Sequence, residues 1–218
     1  MTGLTGEKRV TMVDYGGSNL RSVQKAFEAV GVTPEVTSNP DIVRRAARLV
    51  LPGVGAFRPG IDALRSRGLD EAIVEAVAKG TLLLGICLGM QLLFAESEEM
   101  GRHKGLGLLA GQVVAFVGRP STAENPGLKV PHMGWNRIRH EGEHPLLAGV
   151  GNGSYVYFVH SYYCAPSNPE DMLATTDYGV EFAAIVGRDR LYGIQFHPEK
   201  SHRIGLAILR NFAEMATG

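Results

Sequence analysis

The segment Gly85-Ile86-Cys87-Leu88-Gly89 gives its cysteine the surroundings of a nucleophile. An apolar run that predicts a strand precedes it and a helical pattern follows it, so the segment matches the nucleophile elbow G-x-S-x-G with Cys in place of Ser. Such a turn strains the backbone of the nucleophile, and the start of a helix favours a thiolate. The Leu88 N–H is then a candidate for half of an oxyanion hole. Taken alone, the segment also fits a small cysteine packed at a strand end.

A base and an orienting acid are predicted in Phe196-His197-Pro198-Glu199, after the last apolar strand pattern. Proline disfavours helical backbone in the residue before it, so we expect His197 to be extended. Residues two apart in extended chain project to the same side, which lets Glu199 hold one ring nitrogen while the other faces Cys87. A lone histidine there is usually structural, but together with a cysteine elbow it favours a Cys-His-Glu triad.

The loop Pro52-Gly53-Val54-Gly55 follows a different apolar strand pattern. Glycines bring backbone N–H groups close to a ligand, so Gly53, Val54 and Gly55 are candidates for the other half of the oxyanion hole. A tight surface turn would use the same residues. The loop does not fit a phosphate cradle, because it has no third glycine at the required spacing and no Gly-Lys-Ser/Thr.

The remaining cysteine and the histidines predict neither a disulfide framework nor a metal site. Cys87 and Cys164 form no paired spacing, and the histidines show no H-E-x-x-H pattern. We therefore expect no metal and no cofactor. Cys164, at the end of an aromatic strand pattern without flanking glycines, is interpreted as a packed thiol outside the chemistry.

Strands and helices alternate in the first half of the chain, and they must position these residues. Ser18 or Asn19 is expected to cap the first helix, which runs from Leu20 to Gly31. Further helices are predicted in two stretches up to about Lys79, and at Pro40–Ala47 and Leu88–Glu96. The predicted strands are Arg9–Asp14, Pro34–Thr37, Arg48–Leu51 and Thr81–Ile86. Alternation with unbroken apolar strands is typical of a parallel sheet covered on both faces.

The second half is dominated by strand patterns and closes with an amphipathic helix over Arg203–Ala216. Residues 187–190 predict a hairpin turn between the last two strands. The predicted strands are Gln112–Val117, Arg137–Ile138, Ser154–Tyr163, Met172–Thr176, Glu181–Val186 and Leu191–Phe196. The predicted fold class is therefore α/β: one domain over residues 1–218 in three layers, with a mostly parallel central sheet and antiparallel additions.

Composition and charge exclude several classes of function. Among 218 residues, 22 Lys and Arg balance 22 Asp and Glu, which argues against a nucleic-acid stripe or a membrane-surface patch. The first residues lack the apolar core of a signal peptide, and the most apolar run, residues 81–94, is shorter than the about 20 residues of a membrane span. We expect a cytoplasmic protein with no nucleic-acid and no membrane partner.

The sequence resembles the class I glutamine amidotransferases in the segments GICLGMQLLF (85–94) and GIQFHPEKS (193–201). These enzymes hydrolyse glutamine with a Cys-His-Glu triad, whose positions match Cys87, His197 and Glu199. The glutaminase subunits of imidazole glycerol phosphate synthases are similar in four further segments: VDYGGSNLRSV (13–23), LPGVGAF (51–57), KVPHMGWN (129–136) and YFVHSYY (157–163).

The resemblance implies a reaction, a partner and further site residues. Ammonia from L-glutamine would pass to a separate cyclase subunit of (β/α)₈-barrel fold, bound as a heterodimer, which uses it in histidine biosynthesis. By motif match, glutamine would be held by Gly55, Gln91, Glu99 and the backbone near His160 and Ser161. The matching partner-facing positions are Asn19, Trp135, Tyr157 and Lys200.

Other Cys hydrolases and a non-catalytic role are the alternatives. Glutaminases of the anthranilate and aminodeoxychorismate type usually have a His at the position of Met90, and those of pyridoxal phosphate synthase usually differ around both the loop and the cysteine. DJ-1-like hydrolases generally place a His directly after the cysteine, where this chain has Leu88. An interaction subunit with an inactive triad is the non-catalytic alternative, but all three triad positions are intact.

Overall fold

The computed structural model describes residues 9–17, 19–118 and 127–217; Ser18, one of the two expected helix caps, lies outside these ranges. The strands are β1 (Thr11–Val13), β2 (Glu35–Thr37), β3 (Arg48–Gly53), β4 (Leu82–Cys87), β5 (Phe94–Ser97), β6 (His103–Lys104), β7 (Leu109–Ala115), β8 (His132–Arg137), β9 (Tyr155–His160), β10 (Tyr162–Pro166), β11 (Met172–Asp177), β12 (Glu181–Arg188) and β13 (Leu191–Ile194). The helices are α1 (Leu20–Glu28), α2 (Pro40–Val43), α3 (Phe57–Arg65), α4 (Leu69–Ala78), α5 (Leu88–Leu92) and α6 (His202–Glu214).

A seven-stranded sheet in the order β11-β12-β13-β4-β3-β1-β2 forms the centre of the fold. The pairs from β13 to β2 are parallel, and β11, β12 and β13 pair antiparallel. This arrangement confirms the predicted α/β class with its antiparallel additions. The β12–β13 hairpin is also confirmed, and Asp189 makes its tight turn in left-handed backbone with φ 53°.

Two apolar cores cover the two faces of this sheet. Alternate residues of β4 divide between them: Leu84 and Ile86 face the core under α1 and α6, and Leu83 faces the core under α3 and α4. Because strand residues alternate in direction, a strand buried on both sides reads as an unbroken apolar run. The result is the predicted layer order of helices, sheet and helices.

Two smaller sheets flank the central one. Strands β10, β7, β5 and β6 form a four-stranded sheet, and β8 pairs with β9 in an antiparallel ribbon. The prediction of a helix over residues 88–96 is wrong beyond α5, because Phe94 pairs with Leu109 of β7 and Glu96 with Lys104 of β6. Tertiary strand pairing there outweighs local helix propensity.

The predicted strand Ser154–Tyr163 is two strands that separate at Ser161. Strand β9 pairs with β8, whereas β10 pairs with β7 in a different sheet. An alternating apolar pattern continues across such a change of partner, so the sequence pattern did not mark the break. In the described ranges, no helix is both long and apolar enough to cross a membrane.

The carboxyl ends of β3, β4 and β13 lie side by side, where ligands bind in open α/β sheets. Gly53 at the end of β3 is paired with Cys87 at the end of β4, and Ile194 of β13 is paired with Ile86. The register therefore brings the glycine loop, the cysteine and the segment after β13 to one edge of the sheet.

Candidate active site

Cys87 occupies the sharp turn from β4 to α5, in a backbone conformation that few non-glycine residues adopt (φ 54°, ψ −110°). Two glycines make this turn possible. A Cβ atom on Gly85 would lie 2.6 Å from the carbonyl oxygen of Gly89, and one on Gly89 would collide with the carbonyl oxygen of Leu51. The turn thus has both the strain and the close backbone approach that a nucleophile elbow requires.

His197 and Glu199 form a buried pair beside this turn. The backbone of His197 is extended as expected (φ −94°, ψ 102°), and its Nδ1 lies 2.8 Å from Glu199 Oε1. The sequence predicts this contact because residues two apart in extended chain project to the same side, and this part of the prediction is wrong. Glu199 reaches the ring through a short 3₁₀ turn over Pro198–Lys200, and not through continued extended chain.

Two further hydrogen bonds hold this pair in place. Asn19 Nδ2 donates to Glu199 Oε1 at 2.7 Å, and Ser201 Oγ donates to the carbonyl oxygen of His197 at 2.6 Å. Asn19 lies before α1 with φ 82° and makes no side-chain cap on that helix. Asn19 is therefore the N-cap residue by position, as expected, but its side chain does not cap the helix, because its amide is used 180 residues away along the chain on Glu199.

The electrostatics of the pair favour an imidazolium. Burial by itself lowers the pKa of His197, but hydrogen bonds to Cys87 and Glu199 outweigh it and raise that pKa from 6.5 to about 9. Burial raises the pKa of Glu199, but the hydrogen bond from His197 and its charge bring it below the usual value. His197 Nε2 is buried, and among the described residues its only candidate hydrogen-bond partner is the Cys87 sulfur, which lies outside ordinary hydrogen-bond geometry.

A cavity of about 710 Å³ opens in front of the cysteine. Cys87, Leu88, Val54 and Gly55 line one side of it, so three of the four oxyanion candidates face the same space. Gly53 packs beneath them: a Cβ there would collide with the Tyr15 hydroxyl and lie 3.0 Å from Leu88 Cβ. Of the two loop glycines, Gly55 lines the cavity and Gly53 is packed below it.

The residues matched to glutamine binding line the same cavity, and some also have structural partners. Gln91 donates from Nε2 to the carbonyl oxygen of Tyr162 at 3.1 Å and to Gln195 Oε1 at 3.2 Å. Glu99 accepts a hydrogen bond of 2.7 Å from the Phe57 N–H at the start of α3. Since both N–H groups of the Gln91 amide are used, its oxygen is what remains for a ligand.

His160 and Ser161 also line the cavity, but the His160 ring points elsewhere. Its Nδ1 donates to the carbonyl oxygen of Tyr162 at 2.8 Å, and its Nε2 lies 3.1 Å from Nδ1 of His132. Burial lowers the pKa of His160 to about 3 and that of His132 to about 4. These two histidines are therefore a neutral pair.

The four partner-facing candidates fall into two groups. Asn19 and Lys200 line the cavity mouth, and Trp135 and Tyr157 lie beside it. The Lys200 ammonium sits 5.6 Å from the centre of the Tyr157 ring, and the Trp135 ring stacks on His202 at 5.0 Å and is 45% exposed. The Tyr157 carbonyl oxygen accepts a 2.9 Å hydrogen bond from the His197 N–H, so this surface is joined directly to His197.

Two residues near the sulfur were not identified from the sequence. Gln195 is fully buried and its Nε2 lies 3.7 Å from Cys87 Sγ. Tyr15 places a buried hydroxyl beside Gly53 with no hydrogen-bond partner among the described residues, and burial raises its pKa. The signal for Gln195 in the sequence is an uncharged polar residue inside an otherwise apolar strand pattern. Among residues 9–17, 19–118 and 127–217, no group of three His, Cys, Asp or Glu side chains is placed to hold a metal ion.

Comparison with known proteins identifies the class. Residues 11–216 match the family "Glutamine amidotransferase class-I". The chain therefore belongs to the class I glutamine amidotransferases. A putative GMP synthase subunit from Thermoplasma acidophilum has the same fold, with a TM-score of 0.68 and 20% identity over 94% of this chain and 92% of the other. PurLQS from Thermotoga maritima is equally similar, with a TM-score of 0.68 and 20% identity over 94% and 96%.

Closer relatives narrow the family. The imidazole glycerol phosphate synthase subunit HisH of Syntrophotalea carbinolica is 51% identical over 208 residues, which cover 94% of this chain and 100% of the relative. The protein of the same name from Salinibacter ruber is 51% identical over 208 residues, 95% and 94% of the two chains. At this identity over nearly the full length of both, the chain is a member of the HisH glutaminase subunits of imidazole glycerol phosphate synthase.

Proposed function

We propose that the chain hydrolyses L-glutamine with the triad Cys87, His197 and Glu199. The ammonia is passed to a cyclase subunit of (β/α)₈-barrel fold. The observation that carries the proposal is the buried His197–Glu199 pair, 2.8 Å apart, beside a cysteine held in strained backbone at the cavity wall. In this proposal the partner makes imidazole glycerol phosphate and aminoimidazole carboxamide ribotide in histidine biosynthesis, in the cytoplasm. The glutaminase chain folds as one domain and uses no cofactor or metal.

The first half of the reaction forms a thioester. Cys87 transfers its proton to His197 Nε2, and the thiolate attacks the side-chain amide carbon of glutamine, forming the C–S bond. The carbonyl oxygen becomes an oxyanion that N–H groups of Leu88 and of the loop Gly53–Gly55 stabilise. His197 then gives its proton to the amide nitrogen, the C–N bond breaks and ammonia leaves.

The second half regenerates the enzyme. Water attacks the thioester carbon while His197 Nε2 takes one of its protons. The C–S bond breaks, glutamate leaves and the thiolate faces the imidazolium again. Throughout, Glu199 accepts from Nδ1–H, which keeps Nε2 directed at the reacting atoms and stabilises the charged ring. The side-chain oxygen Oε1 of Gln91 is suited to accept a hydrogen bond from an ammonium or amide N–H of glutamine, because both N–H groups of the same amide already have partners.

Cys87→Ala tests this division of labour. The variant is expected to lose glutamine-dependent glutamate release by about 10⁴-fold or more, because no other group can form the thioester. The complex with a cyclase subunit should still make product from added ammonium salts, since Cys87 serves only the first site. The matched control is Cys164→Ser. Retained glutaminase activity in Cys87→Ala, or loss of ammonium-dependent synthesis as well, would refute the proposal.

The free subunit is proposed to be a poor glutaminase that its partner activates, because hydrolysis without an acceptor wastes glutamine. The loop before α3 is suited to such control. Gly55 has φ 100°, and no atom lies within 4 Å of the position that a Cβ would take there, so the peptides around it can reorient where other residues would be strained. One misdirected oxyanion donor costs roughly 3–4 kcal/mol of transition-state stabilisation, or about 10²–10³-fold in rate.

Glutamate release measured for the free chain, for the complex and for the complex with cyclase ligand tests this control. The complex with cyclase ligand is expected to release glutamate fastest. Gly55→Ala is expected to change the rate of the free chain and the rate of the ligated complex by different factors. A free chain that already hydrolyses glutamine at the rate of the ligated complex would contradict the activation proposal and leave the triad proposal intact.

A further inference from the structure

We infer that Gln195 is a further catalytic residue, whose side-chain amide donates a hydrogen bond to the sulfur of Cys87, and that Gln91 is the positioning residue that fixes the direction of this amide. The inference rests on the proposed role of Cys87 as the nucleophile. It assigns to Gln91 a task beyond contact with glutamine.

The direction of the two amides follows from a backbone carbonyl. The Tyr162 carbonyl oxygen can only accept, so the Gln91 atom 3.1 Å from it must be Nε2. The second N–H of that nitrogen is directed at Gln195, 3.2 Å away, and the Gln195 atom that receives it must be the oxygen Oε1. Gln195 therefore presents its Nε2, and not its oxygen, to Cys87 Sγ at 3.7 Å.

Burial makes this contact consequential. Gln195 is fully buried and Gln91 and Cys87 are each 6% exposed, so bulk water competes poorly for the amide N–H. A buried amide costs free energy unless its polar atoms have partners, and those of Gln195 have Gln91 and the sulfur. A donor of this kind is stronger towards a charged acceptor than towards a neutral one, so it favours the thiolate over the thiol.

The role differs from that of His197. An amide N–H stabilises negative charge on sulfur but neither accepts nor releases a proton at neutral pH, so Gln195 does not compete with His197 for the thiol proton. Its interaction weakens when the sulfur becomes the neutral thioester and returns when the thiolate leaves. Gln195 therefore acts on how much thiolate is available and on its departure, and Leu88 and the loop act on the oxyanion.

Alkylation of Cys87 by iodoacetamide measures the thiolate without requiring glutaminase activity. We would follow it from pH 5 to pH 10 in the full chain carrying Cys164→Ser, so that a single thiol reacts. In Gln195→Met the midpoint of the pH–rate curve is expected to rise by about one unit, so that less thiolate is present below the midpoint. Because a more basic thiolate is also a better nucleophile, alkylation well below the midpoint should slow about threefold, and the limiting rate at high pH should rise about threefold. Gln195→Glu, which keeps the shape and adds a like charge, is expected to raise the midpoint further.

The positioning role of Gln91 is tested by a double-mutant cycle. Gln91→Met should move the midpoint in the same direction by less than Gln195→Met, because Gln195 keeps its amide but loses its orientation. The double variant should move it no further than Gln195→Met alone. The matched control is Gln112→Met, which removes an exposed amide bonded to Glu96 and should leave the curve unchanged.

An unchanged alkylation curve in folded Gln195→Met or Gln195→Glu, with folding verified by circular dichroism and thermal unfolding, would overturn the inference. Additive shifts in the double variant would overturn the positioning role of Gln91. Failure of the proposed function is separable: there, Cys87→Ala would retain glutamate release whatever the alkylation curves of the glutamine variants.

Discussion

Two buried histidine sites in this molecule have opposite electrostatics. In one, His197 lies beside Glu199 and Cys87, and its pKa rises to about 9 although burial opposes this. In the other, His132 and His160 lie 3.1 Å apart, and burial lowers their pKa values to about 4 and about 3. Burial acts in the same direction on all three rings, so the chemistry of the partners decides which one is charged.

The neighbours explain the difference. His132 stacks on Tyr178 at 4.0 Å and on Phe158 at 4.8 Å, and the Asn136 amide lies 3.2 Å from its Nε2. The aromatic rings and the amide around His132 pack against it and form neutral hydrogen bonds, whereas Glu199 places a negative charge beside His197. The His132–His160 pair is therefore interpreted as part of the core, and His197 as the proton carrier. A buried histidine alone is a weak indication of a site, and a buried histidine beside both a carboxylate and a cysteine is a stronger one.

Replacing one histidine from each site gives the largest contrast. His197→Ala is expected to lower glutamate release by about 10⁴-fold or more, because base and acid disappear together. His132→Ala is expected to cost about 3 kcal/mol of unfolding free energy through lost stacking and an unpaired His160 nitrogen, while activity of the folded fraction stays within a few-fold. Steady-state kinetics and urea unfolding measure the two. Equal activity of His197→Ala and the unsubstituted chain would refute the triad.

Replacing the Glu199 carboxylate by an amide of the same shape tests whether its charge causes the difference between the two histidine sites. Glu199→Gln is expected to lower glutamate release by about 10²–10³-fold, less than His197→Ala, because the amide oxygen can still accept from Nδ1–H but no longer stabilises the imidazolium. The pKa of His197 should fall, since an opposing charge is lost. An NMR titration of the ring and the pH–rate profile check this. A His197 pKa that stays near 9 would show that Glu199 is not its cause.

The pH dependence of stability should separate the two sites. His197 has a pKa above its ordinary 6.5, so its contribution is present below pH 6.5 and is lost as pH rises through about 9. His132 and His160 have lowered values, so their contribution is present above pH 6.5 and is lost as pH falls towards 4 and 3. The contribution of His197 is on the order of 3 kcal/mol.

Urea unfolding between pH 4 and pH 10 measures how the unfolding free energy falls on each side of neutral pH, in an acid limb and an alkaline limb. His197→Gln should flatten the alkaline limb only, and His132→Gln the acid limb only. A variant that flattened the opposite limb would contradict the assignment of charge states.

Replacement of Cys164 should give the smallest effect on activity. Cys164 pairs with Val113 within the four-stranded sheet, is fully buried, and burial raises its pKa, so it should remain a thiol. Cys164→Ser is expected to keep glutamate release within about threefold and to cost about 1–3 kcal/mol of stability for a buried hydroxyl. Labelling followed by peptide mapping checks which thiol reacts. Loss of activity on labelling Cys164 but not Cys87 would reverse their roles.

The sequence predicted the parts of the site that lie within local motifs. The elbow around Cys87 and the pair His197 and Glu199 each depend on a few adjacent residues, and strand apolarity predicted the parallel sheet. Tertiary pairing was not available from the same patterns: the change from α5 to β5 depends on β7, and the break at Ser161 depends on two different sheets.

Long-range side-chain contacts were also missed. Asn19 looks like a helix cap by position, but its amide bonds Glu199, and φ 82° places it outside the usual cap geometry. Gln195 is polar in an apolar strand pattern, and only the three-dimensional position of Cys87 explains why an amide is buried there. Such contacts depend on which strands become neighbours, which the local sequence does not state.

The position of β13 has a consequence for synthesis of the chain. Strand β13 inserts between β4 and β12, so β4 keeps an open apolar edge until residues 191–194 arrive. His197 follows Cys87 by 197 − 87 = 110 residues, which a ribosome adds in roughly 6–22 s at about 5–20 residues per second. During that interval a nascent chain has Cys87 without its proposed base, and β4 with an exposed edge. The strand that covers this edge and the proposed base therefore leave the ribosome within a few residues of each other.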